Sequence, residues 1–196
     1  RPIVAAGASV AVLHHAPAGT AGRGPGAGTA GGPPGVLRAG ELVLVDAGAA
    51  WGGYAVDVTR TWAVGEPAGR RAEVVAIVRR AQAAALARIR PGATRDEAQA
   101  AARAALAAGL HALGLPADGL ARWYPHGLGH AIGLEVHDPV ATGAYVAGEV
   151  LTVEPGLYFA PDDDQVPDDL RGVGVRIEDT VLVTADGCEA LTSACP

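Results

Sequence analysis

The sequence predicts an α+β protein assembled from two related halves. Three observations carry that prediction: short apolar strand-like runs on both sides of the chain, a helical pair between them, and one strand-and-turn pattern that occurs twice. With 196 residues the chain can bury one substantial core and is short for two domains.

The elements follow in order. Val10 to Leu13 and Glu41 to Asp46 read as strands, the second holding the continuous apolar run Leu42 to Val45 of a buried strand. Between them, 16–35 is almost entirely Gly, Ala, Pro and Thr, too little to bury, and is expected to be a flexible loop. Tyr54 to Val64 reads as a second strand, joined to the previous one by a turn at Gly52-Gly53. After Pro67 the period becomes helical: Val74, Ile77, Val78, Ala81, Ala85 and Ile89 form one stripe, and Arg90-Pro91-Gly92 stops it. Thr94 with Glu97 has the capping-box form, so a second helix is expected to run to Gly114. The rest reads as strands at His130 to Val136, Val150 to Val153, Leu157 to Phe159 and Val173 to Val183.

Gly40-Glu41-Leu42-Val43-Leu44-Val45-Asp46-Ala47-Gly48 and Gly148-Glu149-Val150-Leu151-Thr152-Val153-Glu154-Pro155-Gly156 share one plan, and each is followed by a strand with a second carboxylate, Asp57 or Glu178. The second unit is preceded by two helices and the first by none. A matching helix pair is therefore expected before residue 1, and a chain lacking it should leave one sheet face uncovered. The absence of Met agrees with a natural start further upstream.

A net charge of −6, with Arg supplying every basic side chain, argues against a surface that neutralises phosphate or anionic lipid, so neither nucleic acid nor membrane is an expected partner. Arg1 to Leu13 followed by Ala16-Pro17-Ala18 outlines a secretory leader, but Gly7 and Ser9 interrupt its apolar core. Cys188 and Cys195 form neither a disulfide framework nor a zinc spacing, and a cytoplasmic location is the expectation.

Apolar strands that end in or pass through Asp46, Asp57, Glu154 and Glu178 put four carboxylates where a core would otherwise lie. Two such charges 4 Å apart repel by about 4 kcal/mol at an effective dielectric of 20, so the cluster calls for cations or protons. His126, His130 and His137 fall close together after Tyr124. The spacing of His126 and His130 is that of a zincin, but Gly127 stands where a zincin has its Glu and two Gly oppose a helix.

Five strings then carry a resemblance: Val-Asp-Ala-Gly (45–48), Asp-Val-Thr-Arg-Thr (57–61), His-Gly-Leu-Gly-His with Gly-Leu-Glu-Val-His-Asp (126–138), Leu-Thr-Val-Glu-Pro-Gly-Leu-Tyr (151–158) and Gly-Val-Arg-Ile-Glu-Asp (174–179). The chain resembles the creatinase/prolidase/methionine aminopeptidase superfamily of pita-bread metallopeptidases, closest to its Xaa-Pro aminopeptidase and prolidase branch. The resemblance implies a pita-bread fold, an antiparallel sheet in pseudo-twofold halves covered by helices. Residues 1–196 would then be one catalytic domain that lacks its first helix pair and any N-terminal domain. It implies two divalent metal ions, held by Asp46, Asp57, His130, Glu154 and Glu178, with Asp57 and Glu178 bridging. The oxygen-rich set favours Mn(II), with Co(II), Fe(II) or Zn(II) as alternatives. It further implies substrate-side roles for His14, His126 and His137, a site-associated Arg176, and proton transfer by Glu154. The implied reaction is hydrolysis of the bond before a proline in second position, by a metal-bridging hydroxide, in a homo-oligomeric full-length protein. The alternatives are a prolidase, a pita-bread hydrolase of another small substrate, and a non-catalytic binding relative.

Overall fold

The computed structural model describes residues 2–15, 37–67, 69–139 and 143–195, with elements in the predicted order of strands, helices and strands. The first half has β1 (Ile3–Ala6), a 3-10 turn (Gly7–Ala11), β2 (Leu42–Trp51) and β3 (Tyr54–Ala63). Helices α1 (Arg71–Leu86) and α2 (Arg95–Ala112) and the single turn α3 (Leu120–Trp123) follow. The second half has β4 (Val150–Val153), β5 (Gly156–Tyr158), β6 (Gly174–Arg176), β7 (Asp179–Val183) and β8 (Cys188–Ala190). All pairings are antiparallel, in the orders β1-β2-β3, β4-β7-β8 and β5-β6. No helix among the described residues is long and apolar enough to cross a membrane. The loop expected over 16–35 lies outside the described residues.

The hairpin register sets up the site. Asp46 stands opposite Thr59 and Gly48 opposite Asp57, so strand alternation puts Asp46, Asp57, Thr59 and Thr61 on the face that buries Leu42 and Leu44. The helices brace that face and the second half from behind. Val74, Ile77, Leu106 and Leu110 pack with Leu44, Leu157, Phe159 and Val175, while Ala85, Ile89 and Ala102 pack with Leu151, Val153 and Val181. The capping box forms as expected: the Thr94 hydroxyl accepts from the Glu97 amide at 3.2 Å, and the Thr94 amide donates to Glu97 Oε2 at 2.6 Å.

The repeated strand unit is a structural repeat. The Gly40 amide donates to the Val64 carbonyl and the Val64 amide to the Glu41 carbonyl, both at 2.8 Å; Gly148, Val183 and Glu149 make the same two bonds at 2.8 Å. Gly40 and Gly148 both adopt the left-handed region, at φ 82° and 89°, which a residue with a Cβ enters only with strain. The same turn thus launches each carboxylate-bearing strand.

Three strand expectations are corrected. Val10 to Leu13 is not a strand: Gly7 turns at φ 57°, and the Ser9 hydroxyl bonds back to the Ala6 carbonyl at 2.7 Å and accepts the Ala6 amide at 3.0 Å, so Ile3–Ala6 pairs with β2 instead. His130 to Val136 is not one regular strand. Residues 128–132 run along β4, through Leu128–Glu154, His130–Thr152 and Ile132–Val150 backbone bonds, and the chain then curls at Gly133, whose amide donates to the Glu135 carbonyl. Val173 to Val183 splits into β6 and β7, with Ile177 and Glu178 between them. The strand β8 carries no clear period and was not expected.

The face of the first sheet that points away from the core carries an apolar patch beside Arg60, which stands opposite Val45. Val4 is 53% exposed, Trp62 41%, Tyr54 66% and Trp51 91%, and Val4, Val45, Val43 and Trp62 adjoin through the register of β1, β2 and β3. Two outcomes follow from this packing. The 196-residue chain is expected to enhance the fluorescence of a hydrophobic dye, and Trp62→Thr to reduce that signal. Thr94→Ala, which leaves the first turn of α2 without its cap, is expected to cost about 1 kcal/mol, lowering the thermal midpoint by about 2–4 °C.

Candidate functional site

Strands from both halves deliver carboxylates into one cleft of about 620 Å³, lined by Asp46, Asp57, Glu154 and Glu178 together with His14, His126, His130, His137 and Arg176. All nine predicted site residues therefore meet, although they are spread over most of the chain. Asp46 comes from β2, Asp57 from β3, Glu154 from the end of β4, and Glu178 from the link between β6 and β7. Ala49, Ala50, Ala55, Val56 and Val136 form an apolar wall beside them.

The tightest grouping is Asp57, His130 and Glu178, whose ligating atoms all lie within 4.8 Å of one another. Glu154 Oε1 stands 3.6 Å from His130 Nε2, beside that group. Asp46 is turned toward Arg176, whose Nη2 donates to its Oδ2 at 2.6 Å. His14 and His137 are exposed at the cleft edge, and the His137 ring stands edge-on to His130 with centroids 4.2 Å apart.

Backbone crowding fixes His130. Its amide donates to Thr152 Oγ1 at 3.1 Å, and a Cβ at the preceding Gly129 would lie 2.0 Å from the Thr152 carbonyl oxygen, so only glycine lets the two chains approach this closely. Thr152 Oγ1 also lies 3.4 Å from Glu154 Oε1 as donor, tying the two candidate ligands together. Both ring nitrogens of His130 have defined tasks. Nδ1 faces the Ala131 carbonyl at 3.1 Å, and since a carbonyl only accepts, Nδ1 carries the proton and Nε2 presents its lone pair to the cleft.

His126 is set up differently. Its Nδ1 donates to the Gly127 carbonyl at 2.8 Å, and Nε2 meets the Tyr158 hydroxyl at 3.0 Å. Burial pushes its pKa down to about 4, against the opposing Gly127 carbonyl, so the ring is neutral and Nε2 accepts from Tyr158. Arg176 Nη1 donates to the same Tyr158 oxygen at 3.1 Å, and Arg176 Nε donates to Thr59 Oγ1 at 3.1 Å. The result is a chain from His126 through Tyr158 and Arg176 to Asp46, and through Thr59, which donates to Glu178 Oε2 at 2.6 Å, to Glu178. Tyr158 and the threonines were missed as site residues. The i, i+2 spacing of Asp57, Thr59 and Thr61 carried a signal for two of them, and Tyr158 closes the string at 151–158 that carries the family resemblance.

Among the described residues, four carboxylates line the cleft with a single guanidinium, that of Arg176. Burial pushes the Glu178 carboxyl up to about 9, with the Glu154 and Asp57 charges adding to it and Thr59 opposing. Burial likewise pushes Glu154 up to about 7 against the relief from Arg176, and Asp57 up to about 6 with the help of Asp46. Arg176 is desolvated, yet the oxygens of Tyr158, Asp46 and Glu154 around it hold its pKa above the usual value. One buried guanidinium is not enough for four carboxylates. The donor set fits divalent cations: anionic oxygens kept short of positive charge, and one imidazole whose other nitrogen is locked to a backbone carbonyl, as metal-bound histidines commonly are.

The sequence matches metallopeptidase family M24 over residues 1–185. It is 42% identical over 178 residues to Xaa-Pro aminopeptidase 1 of Streptomyces coelicolor, covering 82% of this chain and 36% of that relative. The fold matches aminopeptidase PepP of Pseudomonas aeruginosa with a TM-score of 0.83 and 35% identity, over 100% of this chain and 44% of that one. It matches aminopeptidase P of Escherichia coli with the inhibitor Pro-Leu at a TM-score of 0.84 and 34% identity, with the same coverage. The chain thus spans between a third and a half of the length of these proteins. With its repeat, its cleft and its family match in agreement, the chain belongs to metallopeptidase family M24 and has the pita-bread fold.

Proposed function

We propose that the chain carries the catalytic centre of a dinuclear Xaa-Pro aminopeptidase that hydrolyses the bond before a proline in second position. The observation that carries this reading is the convergence of Asp46, Asp57, His130, Glu154 and Glu178 in one cleft, with three of them within 4.8 Å at their ligating atoms. The resemblance to Xaa-Pro aminopeptidases, one of them solved with Pro-Leu, supports the substrate class.

In this reading Asp57 and Glu178 would serve both cations, with Asp46 added on one side and His130 and Glu154 on the other. The oxygen-rich donors favour Mn(II). When bound there, divalent cations would supply Lewis acidity toward the scissile carbonyl and would lower the pKa of water toward neutrality. Arg176 orients Asp46 and Tyr158, and the Glu154 carboxylate would take a proton from the attacking water and pass it to the leaving proline nitrogen as the C–N bond breaks. His137, exposed at the edge, is free to donate to the carbonyl oxygen. His126 Nε2 is committed to the Tyr158 hydroxyl, so its part is to hold that hydroxyl and the wall it forms. His14 closes the other edge. The expectation of a homo-oligomer rests on the family resemblance, and that of a cytoplasmic location on the two cysteines, which form no disulfide framework.

Two outcomes test this. The Mn(II)-supplemented protein is expected to release the N-terminal residue from Xaa-Pro-Xaa peptides, and Asp57→Ala to abolish both cleavage and Mn(II) uptake. Cleavage of Xaa-Pro dipeptides alone would point to prolidase activity, and no cleavage by an Mn(II)-loaded protein would remove the peptidase reading. The second outcome concerns pH. Because Glu178, Glu154 and Asp57 have folded-state pKa values above their ordinary ones, the metal-free folded state binds extra protons between about pH 4 and the raised value near 9. Its stability therefore falls as pH rises through that window. Cations replace those protons, so the thermal shift on adding Mn(II) is expected to be larger near pH 8 than near pH 5. Equal shifts at both would dissociate these carboxylates from cation binding.

A further inference from the structure

The two halves are in separate sheets among the described residues: β3 belongs to one, β7 and β6 to the others. What joins them beside the carboxylates is a seam of threonine hydroxyls. Thr180 Oγ1 accepts from the Asp57 amide at 3.0 Å and donates to the Asp57 carbonyl at 2.7 Å. Thr61 Oγ1 treats Arg176 in the same way, accepting its amide at 3.2 Å and donating to its carbonyl at 2.8 Å. Between them the Thr59 carbonyl accepts the Glu178 amide at 3.0 Å, and the Thr59 hydroxyl donates to the Glu178 carboxylate. Thr59, Thr61 and Thr180 are all buried.

The arrangement is reciprocal. Asp57-Val58-Thr59 and Glu178-Asp179-Thr180 place a threonine two residues after each bridging candidate, and each threonine holds the carboxylate residue of the other half. One hydroxyl that satisfies both the N–H and the C=O of a single residue fixes that residue's backbone where no strand partner does. A pair of carboxylates can bridge cations only at a definite separation, and here that separation is set across the seam.

We propose that Thr180 and Thr61 are positioning residues that set the spacing of Asp57 and Arg176 against Glu178 and Asp46, and thereby the affinity of the site for two divalent cations. This rests on the metal-centre reading above and assigns its geometry to residues that are not ligands. A merely structural role would lower thermal stability and leave cation affinity alone.

The test titrates the protein with Mn(II) by calorimetry and with Co(II) by visible absorption, alongside thermal melts. Thr180→Val and Thr61→Val remove the hydroxyl at nearly constant shape, and Thr180→Ser keeps it. The valine variants are expected to bind Mn(II) about tenfold or more weakly and to alter the Co(II) spectrum, and Thr180→Ser to stay within about threefold of the natural protein. Unchanged affinity in folded valine variants overturns the proposal even if their melting points drop, and so does a serine variant as weak as the valine one. If Thr180→Val does not fold, Thr61→Val decides; if neither folds, the hydroxyls serve folding and the positioning role is overturned. A natural protein that takes up no cation overturns the metal-centre reading itself, a result distinct from equal uptake by all variants.

Discussion

Mutual repulsion of clustered carboxylates, Glu178 buried and Asp46, Asp57 and Glu154 half-buried, is the constraint around which the chain is organised. Asp57, Glu154 and Glu178 are held together in a cleft where desolvation and their neighbours raise all three pKa values, and among the described residues Arg176 is the one guanidinium that lines it. Such a cluster disperses unless something rigid stands behind it. Here the support is the helix pair, which packs against strands of both halves, and the paired turns at Gly40 and Gly148, which launch each carboxylate strand in the same way. The arrangement is poised to take positive charge because it holds too little of its own.

Hydrogen bonding then divides labour among chemically identical side chains. His130 and His126 lie on one short segment, and both direct Nδ1 at a backbone carbonyl. The difference lies on the far side of each ring: His130 Nε2 faces carboxylates, and His126 Nε2 faces the Tyr158 hydroxyl. The first suits a ligand and the second anchors a wall. Spacing alone groups them as two histidines four apart, whereas the family resemblance assigns His130 to the metal ions and His126 to the substrate side.

Much of this was legible beforehand. The helices were readable from their stripe and the Thr94 box, the hairpin from its apolar run and Gly52-Gly53, and the candidate site from carboxylates at matching places in a repeated unit. What misled was local. Ser9 and Gly7 bend the chain where apolar residues suggested a strand, and Gly133 ends an extended segment that the residues after it seemed to continue.

The sequence by itself determined which side chains are available for chemistry and on which strand face they lie, because period, capping and turn chemistry act over a few residues. Only the tertiary structure decided how far apart they stand and what each one touches. The spacing of Asp57 and Glu178 and the engagement of Asp46 by Arg176 depend on contacts between the two halves of the chain, and the recruitment of Tyr158 depends on packing among distant segments of the second half. Such contacts arise from packing and hydrogen bonding across a seam that no local pattern encodes.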